Sequence, residues 1–424
     1  MVAGDAPTAR RANPPIRRVL VVHNILREQG GAELVFLKEL EMLRRAGLEV
    51  FAAGFGDADR DDAETGTLEI REPRSLALRK LFKFTFYPRG YRALRDFARR
   101  VAPDVVHLHM ATRYPVSMLL ALRGFPVVQT VHSNGMFCPT GWLVHADDRE
   151  PCEGGAGAKC VRHGCVSPLR LPLHFALERA WHAAARRTVT HFAPPSRHLA
   201  GYLERFGFSR VTRVPNFSPV APSERFESPE RSETILYAGV LTAQKGVEYL
   251  IRAMPAVLAR RPGANLVIVG DGAAADSLRA LADSLDLAKN VTFTGRLPNA
   301  ELASRYGSAR MCVIPSVWME NSPLVAYEAM AAGRPIVGSD RGGITDLVES
   351  GRCGFVVPAC DPAALAERIL ALLEDPKLAA ELGENGRRHV TEALSAEAFV
   401  RNLDVVLREA RSTGLAAEAG APAP

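Results

Sequence analysis

Short apolar runs rich in β-branched residues alternate with helix-like patterns along most of this chain, and this alternation limits the fold more than any other feature. The segments between the runs carry leucines at helical spacing, as at Leu34, Leu37 and Leu40. Alternation of this kind predicts βα units whose strands form parallel sheets. The runs that we expect to be strands are residues 19–22, 50–53, 104–109, 126–131, 234–238, 266–270, 290–294, 310–314 and 335–338.

A Pro- and Ser-rich segment, residues 213–223, interrupts the alternation and is the best candidate for a domain boundary. We therefore expect an α/β protein with two doubly wound, Rossmann-like domains that face each other across a cleft. Ligands of such sheets bind outside the carboxyl ends of the strands. The predicted organisation is a disordered tail (1–15), an N-terminal domain (16–218), a C-terminal domain (219–394), a helix that packs back toward the N-terminal domain (395–412) and a second disordered tail (413–424).

The composition excludes several classes of protein. Hydrophobic residues make up 47% of the chain and charged residues 24%, which excludes wholesale disorder. Neither a glycine period nor a sustained heptad pattern is present, which excludes collagen-like and coiled-coil chains. No stretch of about 20 apolar residues is present, so no membrane-spanning helix is expected. The first residues do not have the apolar segment that is typical of a secretory signal peptide. Seven cysteines are an odd number, which favours a reducing compartment, so we expect a cytoplasmic protein.

The net charge of +6 is concentrated in one basic stretch. Residues 71–100 contain ten basic residues against Glu72 and Asp96, interleaved with aromatic residues and leucines. Two interpretations stay open. The stretch is either a solvated helical surface with a buried aromatic face, or a patch that binds an anionic membrane surface. The second would place the protein peripherally on the inner face of the cell membrane. Nothing resembles a DNA- or RNA-binding module, so no nucleic acid partner is expected.

Residues 319–335 have the strongest pattern for a binding site. Ser322 and Pro323 are typical of the N-cap and the first position of a helix, and a glycine followed by a proline ends it. Glu320 therefore lies in the loop before a helix N-terminus, and Glu328 lies inside the helix. The free N–H groups of the first turn, together with the helix dipole, form an anion site.

A carboxylate beside an anion site indicates a ligand that is both anionic and rich in hydroxyl groups. A sugar nucleotide meets both requirements, because its diphosphate binds helix N–H groups while carboxylates accept hydrogen bonds from sugar and ribose hydroxyls. Lys245, in the loop after strand 234–238, could neutralise the same diphosphate. Taken singly, Glu320 is better explained as an ordinary loop carboxylate and Glu328 as a solvated helix residue. Together, in this arrangement, they favour a binding site.

The two glutamates, at E-x7-E spacing, resemble the donor-site signature of retaining GT-B glycosyltransferases, and in particular of glycosyltransferase family 4, the glycosyl transferases group 1. The resemblance covers about residues 17–410, and it rests on the order and spacing of motifs that are weak singly. These motifs are Gly30-Gly31-Ala32-Glu33, Thr130-Val131-His132, Val214-Pro215-Asn216, Gly239 with Lys245-Gly246, Gly270-Asp271-Gly272, Gly295-Arg296-Leu297, Glu320 with Glu328, and Gly342-Gly343.

This resemblance implies a GT-B fold and a retaining, hexosyltransferase-type enzyme. Such an enzyme moves a sugar from a nucleotide-sugar donor, UDP- or GDP-linked, to a glycan or lipid-linked acceptor, and it needs no catalytic metal. The N-terminal domain would bind the acceptor and the C-terminal domain the donor. Polysaccharide or lipopolysaccharide synthesis for the cell envelope is the implied setting.

The resemblance also assigns roles to the residues of the predicted donor site. Glu320 would hold the donor sugar and the distal phosphate, together with the main chain of Asn321, Ser322 and Leu324. Glu328 would bind the ribose.

The remaining implied roles fall on residues from both domains. Lys245 would clamp the diphosphate, and the main chain of Leu297, next to Arg296, would read the base. His132 would face the reacting sugar, and Gly31 would belong to the loop that closes over the phosphates. His132, Lys245 and Glu320 form the predicted catalytic set. Considered alone, His132 is equally well a structural residue at a strand end.

One position departs from the family pattern. The family often has an arginine in a Gly-Arg-Leu run before the lysine, whereas this chain has Val240 there. Leaving-group charge would then rest on Lys245 and the helix N-terminus, or on an arginine from elsewhere. Asp346 also stands where glutamate is common. The alternatives to a transferase are a sugar-nucleotide epimerase of the same fold and a catalytically silent nucleotide-binding partner.

Four of the seven cysteines lie close together after strand 126–131: Cys138, Cys152, Cys160 and Cys165. Disulfides are a poor explanation in a reducing compartment, so we expect a structural metal site with zinc favoured over an iron–sulfur cluster. Only the last spacing, four intervening residues, is typical of zinc ligands. His145 or His163 could replace one cysteine.

Overall fold

The computed structural model describes residues 15–27, 31–109, 112–219 and 228–419. The first half of this described part forms one sheet with helices on both faces. Its strands are β1 (Arg18–Ile25), β2 (Glu49–Gly56), β3 (Arg60–Asp62), β4 (Thr67–Arg71), β5 (Val105–Leu108), β6 (Val127–Gln129) and β7 (His191–Phe192). Its helices are α1 (Gly31–Arg45), α2 (Leu76–Phe84), α3 (Pro88–Val101), α4 (Pro115–Ala121), α5 (Ala158–Arg162), α6 (Leu171–Thr188) and α7 (Arg197–Arg205). The strand order is β3-β4-β2-β1-β5-β6-β7, and only β3 runs antiparallel to its neighbour.

The second half forms a six-stranded sheet, which is parallel throughout. Its strands are β8 (Thr234–Ala238), β9 (Asn265–Val269), β10 (Val291–Gly295), β11 (Met311–Ile314), β12 (Ile336–Ser339) and β13 (Gly354–Val357). The helices that follow are α8 (Val247–Arg260), α9 (Ala275–Ser284), α10 (Asn299–Ser308), α11 (Leu324–Ala331), α12 (Gly343–Gly351), α13 (Pro362–Glu374), α14 (Pro376–Glu392) and α15 (Ala396–Ala419). The strand order is β10-β9-β8-β11-β12-β13.

Side chains of the central strand β1 alternate between two cores, as the pleat requires. Leu20 and Val22 belong to the core that contains side chains of α3, α4 and α6. Val19 and Val21 belong to the opposite core, with side chains of α1 and α15. Because both faces are covered, the central strands contain short continuous apolar runs, and these runs identified them in the sequence.

The last helix, α15, leaves the second half of the chain and packs on the first sheet. Phe399, Leu403 and Leu407 are buried in the same core as Val19. The helix continues to Ala419, whereas a disordered tail is predicted from residue 413. The other predicted tail (1–15) falls almost wholly outside the described residues, and residues 220–227, beside the predicted domain boundary, are also outside them.

The basic stretch forms two helices of different character. In α3, Leu94 and Phe97 are buried, as the first interpretation of this stretch requires. In α2 no residue is buried, and Leu76, Leu78 and Leu81 are exposed. None of the described helices is long and apolar enough to cross a membrane.

Candidate functional site

The loops after β8 and β11 are joined so that Lys245 and Glu320 meet. The N–H of Val317 donates to the carbonyl of Gln244 at 2.9 Å. Gly246 has φ +65°, and a Cβ there would lie 2.0 Å from the carbonyl oxygen of Pro315, so only glycine allows this approach. Both loops lie at the carboxyl ends of adjacent parallel strands, where such sheets bind their ligands.

Glu320 is buried and receives two donors on the same oxygen. Lys245 Nζ lies 2.6 Å from Glu320 Oε1, and the hydroxyl of Ser316 donates to it at 2.7 Å. The ammonium of Lys245 also lies 5.1 Å from the centre of the Trp318 ring, within the range of a cation–π contact. These contacts fix the carboxylate and the ammonium side by side in front of α11.

A glycine after β12 supports the same loop from the other side. Gly342 has φ +59°, and a Cβ there would lie 2.2 Å from the carbonyl oxygen of Glu320. The N–H of Gly343 donates to that carbonyl at 2.7 Å. The Gly342-Gly343 pair is thus required by the close approach of two backbones.

Residues of the first sheet face this loop directly. Asn321 Nδ2 donates to the carbonyl of His132, and Asn134 Nδ2 donates to the carbonyl of Met319 at 2.8 Å. A Cβ on Gly31, at the start of α1, would lie 3.0 Å from Leu324 Cδ1 at the start of α11. Two helix N-termini, one from each half, therefore meet across the cleft.

These groups line one cavity of about 370 Å³ between the two sheets. The residues of the predicted site that line it are Gly31, His132, Lys245, Glu320, Asn321, Ser322 and Leu324. The cavity therefore contains a carboxylate, an ammonium, an imidazole and two helix N-termini. Burial lowers the pKa of His132 well below its usual range, and the neighbouring His109 lowers it further, so this imidazole is neutral at pH 7.

Models of known families match both halves of the chain. The model described as Glycosyltransferase Family 4 matches residues 29–220, and the model described as Glycosyl transferases group 1 matches residues 222–389. The chain belongs to glycosyltransferase family 4.

Curated relatives are similar over part of their length. A D-inositol 3-phosphate glycosyltransferase of Streptomyces avermitilis is 30% identical over 296 residues, which are 68% of this chain and 61% of that protein. A GDP-mannose-dependent monoacylated α-(1-6)-phosphatidylinositol monomannoside mannosyltransferase of Corynebacterium glutamicum is 32% identical over 46% of this chain and 54% of its own length. An uncharacterised glycosyltransferase of Methanocaldococcus jannaschii is 40% identical over 38% and 41%. The chain thus spans about half the length of the curated relatives it matches.

Solved structures show the fold. Sucrose-phosphate synthase of Thermosynechococcus elongatus superposes with a TM-score of 0.70 at 21% identity, over 94% of this chain and 100% of that chain. An Anabaena protein, HepE, solved in complex with UDP, has a TM-score of 0.66 at 17% identity, over 92% and 99%. The fold of this family 4 chain is GT-B, as the sequence predicts.

Three residues of the predicted donor site do not line the cavity. Glu328 accepts a hydrogen bond from the hydroxyl of Tyr306 at 2.8 Å, and burial raises the pKa of its carboxyl, although this bond lowers it. Arg296 and Leu297 follow β10, and Leu297 packs against the apolar cluster that Leu324 also touches. The predicted ribose and base contacts therefore lie next to the cavity, on the side of α10 and α11.

The predicted N-cap at Ser322 is wrong. Helix α11 begins at Leu324, with Pro323 in the cap position, and the hydroxyl of Ser322 pairs with the hydroxyl of Tyr327 at 2.8 Å. This pairing uses the serine hydroxyl, which is then not available to accept a hydrogen bond from a backbone N–H of the first turn. The sequence pattern did not reveal the tyrosine as a partner. The anion site of the first turn is unaffected, because the N–H groups belong to the main chain.

The two positions that depart from the family pattern have different surroundings. Val240 is 53% exposed and lines the cavity, so the position at which the family often has an arginine borders the cavity in this chain. Asp346 accepts a hydrogen bond from Arg197 Nε at 2.8 Å and lies 4.0 Å from Arg213. It therefore holds α12 of the second half against α7 of the first, a role that is compatible with the shorter carboxylate.

The predicted metal centre at the four cysteines is not supported by the positions of their sulfur atoms. Cys138, Cys152, Cys160 and Cys165 line one small cavity, but no three of their sulfur atoms lie within 4.8 Å of one another. Four thiolates around zinc need sulfur atoms about 3.8 Å apart, given Zn–S bonds of about 2.3 Å. Neither zinc nor an iron–sulfur cluster is supported by this arrangement.

His145 and His163 do not replace a cysteine either. Their rings stack at 3.7 Å, and their ring nitrogens form a group with carboxylate oxygens of Asp147 and Asp148, within 4.8 Å of one another, that includes no cysteine sulfur. The hydrogen bond from His163 Nδ1 to Asp147 Oδ1, 3.1 Å long, ties this loop together.

Sequence reasoning missed several residues that shape the site. Ser316 and Trp318 fix Glu320 and Lys245, and Asn134 joins the two halves. The loop from Pro315 to Met319 follows a strand end, which is a signal for contact with ligand, but serine and tryptophan in a loop have no specific spacing that would single them out.

Proposed function

We propose that this chain is a retaining glycosyltransferase that moves a sugar from a nucleotide-sugar donor to a glycan or lipid-linked acceptor of the cell envelope. One observation carries the proposal. The Glu320 carboxylate and the Lys245 ammonium, 2.6 Å apart, line one cavity with the N-termini of α11 and α1 and with the neutral imidazole of His132. The C-terminal sheet supplies the donor side of this cavity and the N-terminal sheet faces it, so we assign the acceptor to the N-terminal side.

The chemistry of transfer fits these groups. The leaving diphosphate gains negative charge, which the Lys245 ammonium and the free N–H groups at the start of α11 stabilise in a largely buried site. Glu320 accepts hydrogen bonds from hydroxyls of the donor sugar, which carries positive charge in the transition state. These groups supply the charge stabilisation from the protein alone, so we expect no requirement for a catalytic metal.

The donor is UDP- or GDP-linked in this proposal. The Corynebacterium relative is named as GDP-mannose-dependent, and the Anabaena structure contains UDP. Glu328 and the main chain of Leu297, which lie beside the cavity, are proposed to contact the ribose and the base. The identity of the base and of the sugar is left to experiment.

A nucleotide-release assay tests the proposal. UDP- and GDP-sugars are each incubated with the protein, with and without a membrane lipid extract, and the freed nucleoside diphosphate is measured. The proposal predicts release from one donor that increases when the extract is added. Interconversion of the sugar without release would favour the epimerase, and binding without either reaction would indicate the silent partner.

A surface beside the N-terminal sheet supports a lipid-linked acceptor. Leu76 and Leu81 of α2 are 71% and 52% exposed, and Lys80 and Lys83 are exposed on the same helix. Leu169, just before α6, which packs against α2, is 94% exposed. Exposed leucines among basic residues are typical of segments that lie on an anionic bilayer. We propose that α2 holds the enzyme peripherally on the inner face of the membrane.

A further inference from the structure

A line of buried polar contacts connects Glu39 of α1 to the cavity. Glu39 is completely buried, and its Oε1 lies 2.5 Å from Nδ1 of His107. Its other oxygen, Oε2, lies 2.9 Å from Nε2 of His109, which is a close polar contact whose angle falls outside hydrogen-bond geometry. Nδ1 of His109 lies 2.8 Å from Nε2 of His132, which lines the cavity with Glu320. The route from the carboxylate to the cavity therefore passes through one further imidazole.

The carboxyl of Glu39 is an anion in this environment. Burial alone would raise its pKa, but the contacts with the N–H groups of His107 and His109 lower it well below its usual range. A carboxylate can only accept hydrogen bonds. His107 must therefore carry a proton on Nδ1. At 2.9 Å from a carboxylate oxygen, a lone pair on Nε2 of His109 would be repelled, so His109 carries its proton on Nε2.

The protonation of Glu39 and His109 determines that of His132. Burial lowers the pKa of His109, as it does that of His132, so both imidazoles are neutral and carry one proton each. Since the proton of His109 is on Nε2, its Nδ1 is an acceptor. His132 must then donate from Nε2, and its Nδ1 keeps a free lone pair.

Two lines of contacts start at Glu39, here called the His109 arm and the His107 arm. The His107 arm ends without reaching the cavity. Nε2 of His107 lies 2.8 Å from the hydroxyl of Thr130, which can donate to it. Thr130 does not line the cavity, although it is two residues from His132. The chain thus offers a matched comparison: two arms of one carboxylate, of which only the His109 arm leads to the cavity.

We propose that Glu39 is a positioning residue that acts through His109 to hold His132 in its Nε2–H tautomer, with an electron-rich Nδ1 available to the donor sugar. This inference rests on the proposed glycosyl transfer. Nδ1 accepts a hydrogen bond from a sugar hydroxyl. The negative charge of Glu39 polarises His109 at close range and, through the hydrogen bond between His109 and His132, stabilises the positive charge that develops on the sugar. No proton needs to move along the line.

The test combines kinetics with a measurement that needs no substrate. Glu39→Gln keeps the size of the side chain and removes its charge, and Thr130→Val shortens the other arm. We expect kcat of Glu39→Gln to fall about 10- to 100-fold with KM for the donor within about twofold. For Thr130→Val we expect kcat close to the wild-type value. Wild-type kcat in Glu39→Gln, or equal losses in both variants, would overturn the inference.

Nitrogen-15 NMR of the histidine rings reads the tautomer of His132 directly, with His132→Gln for assignment. In the wild type we expect a neutral ring with its proton on Nε2. In Glu39→Gln we expect this signal to weaken, because the amide can turn its NH₂ group toward Nε2 of His109. The proton of His109 would then lie on Nδ1, and Nε2 of His132 would accept a hydrogen bond instead of donating one. A wild-type ring with its proton on Nδ1, or a charged ring at pH 7, would refute the inference even in a protein that transfers no sugar.

Discussion

Replacing Glu320 by glutamine tests the proposed donor site. The side chain of Glu320 is 6% exposed and that of Lys245 is 26% exposed, so the pair is neither fully buried nor freely solvated. The amide can still accept from Lys245 and from Ser316, but without charge. Loss of one charged hydrogen bond of this kind costs about 2 kcal/mol of folding stability, which lowers Tm by roughly 2 °C in a chain of this size. The variant should therefore remain folded at 25 °C.

The effect on transfer should be larger than the effect on folding. A contact that is preorganised for the transition state contributes about 10²-fold, which is ~2.7 kcal/mol at 1.36 kcal/mol per tenfold change. We expect kcat/KM of Glu320→Gln for the donor to fall by about this factor. Glu381→Gln, at an exposed position of α14, is the matched control and should behave as the wild type. A folded Glu320→Gln variant with near-wild-type kcat/KM would refute the assignment of Glu320.

Three further predictions concern other parts of the molecule. Gly31→Ala should lower kcat several-fold in the transfer assay, because its Cβ would lie 3.0 Å from Leu324 Cδ1 where the two halves meet; unchanged kcat would argue against this contact. The protein should sediment with anionic vesicles and not with neutral ones, and Lys80→Glu with Lys83→Glu should abolish this binding at low salt. Burial lowers the pKa of His23 to about 3, so the unfolded state binds the proton first as the pH falls below about 6.5. The free energy of unfolding should therefore fall by ~2 kcal/mol between pH 7 and pH 5 because of this group, and thermal denaturation should show a lower Tm at pH 5. His23→Gln should reduce this pH dependence.

Sequence patterns predicted the strands whose two faces are both buried. Strand β8 has the predicted bounds, Thr234–Ala238, because its apolar run begins and ends with the strand. Strand β3, Arg60–Asp62, is a polar edge segment, and β7 has only two residues. Neither carries an apolar run, so no pattern in the sequence could reveal them.

The site was predictable where it depends on local sequence and not where it depends on distant contacts. Glu320 and Lys245 could be identified from strand ends, a helix N-terminus and a family resemblance. The line from Glu39 to His132 joins residues far apart in the chain, and only the folded sheet brings them together. The predicted zinc site at the cysteine cluster is not supported, because closeness in sequence does not establish the distances that a metal requires.

Binding of a nucleoside diphosphate to the cavity tests the central claim most directly. Isothermal titration of UDP and of GDP into the wild type, Lys245→Ala and Lys289→Ala compares the cavity lysine with an exposed lysine after α9. We predict that one nucleotide binds the wild type and Lys289→Ala equally, and Lys245→Ala at least about tenfold more weakly, as expected for loss of a charged phosphate contact. Equal affinity of all three proteins, or no binding of either nucleotide, would contradict the account.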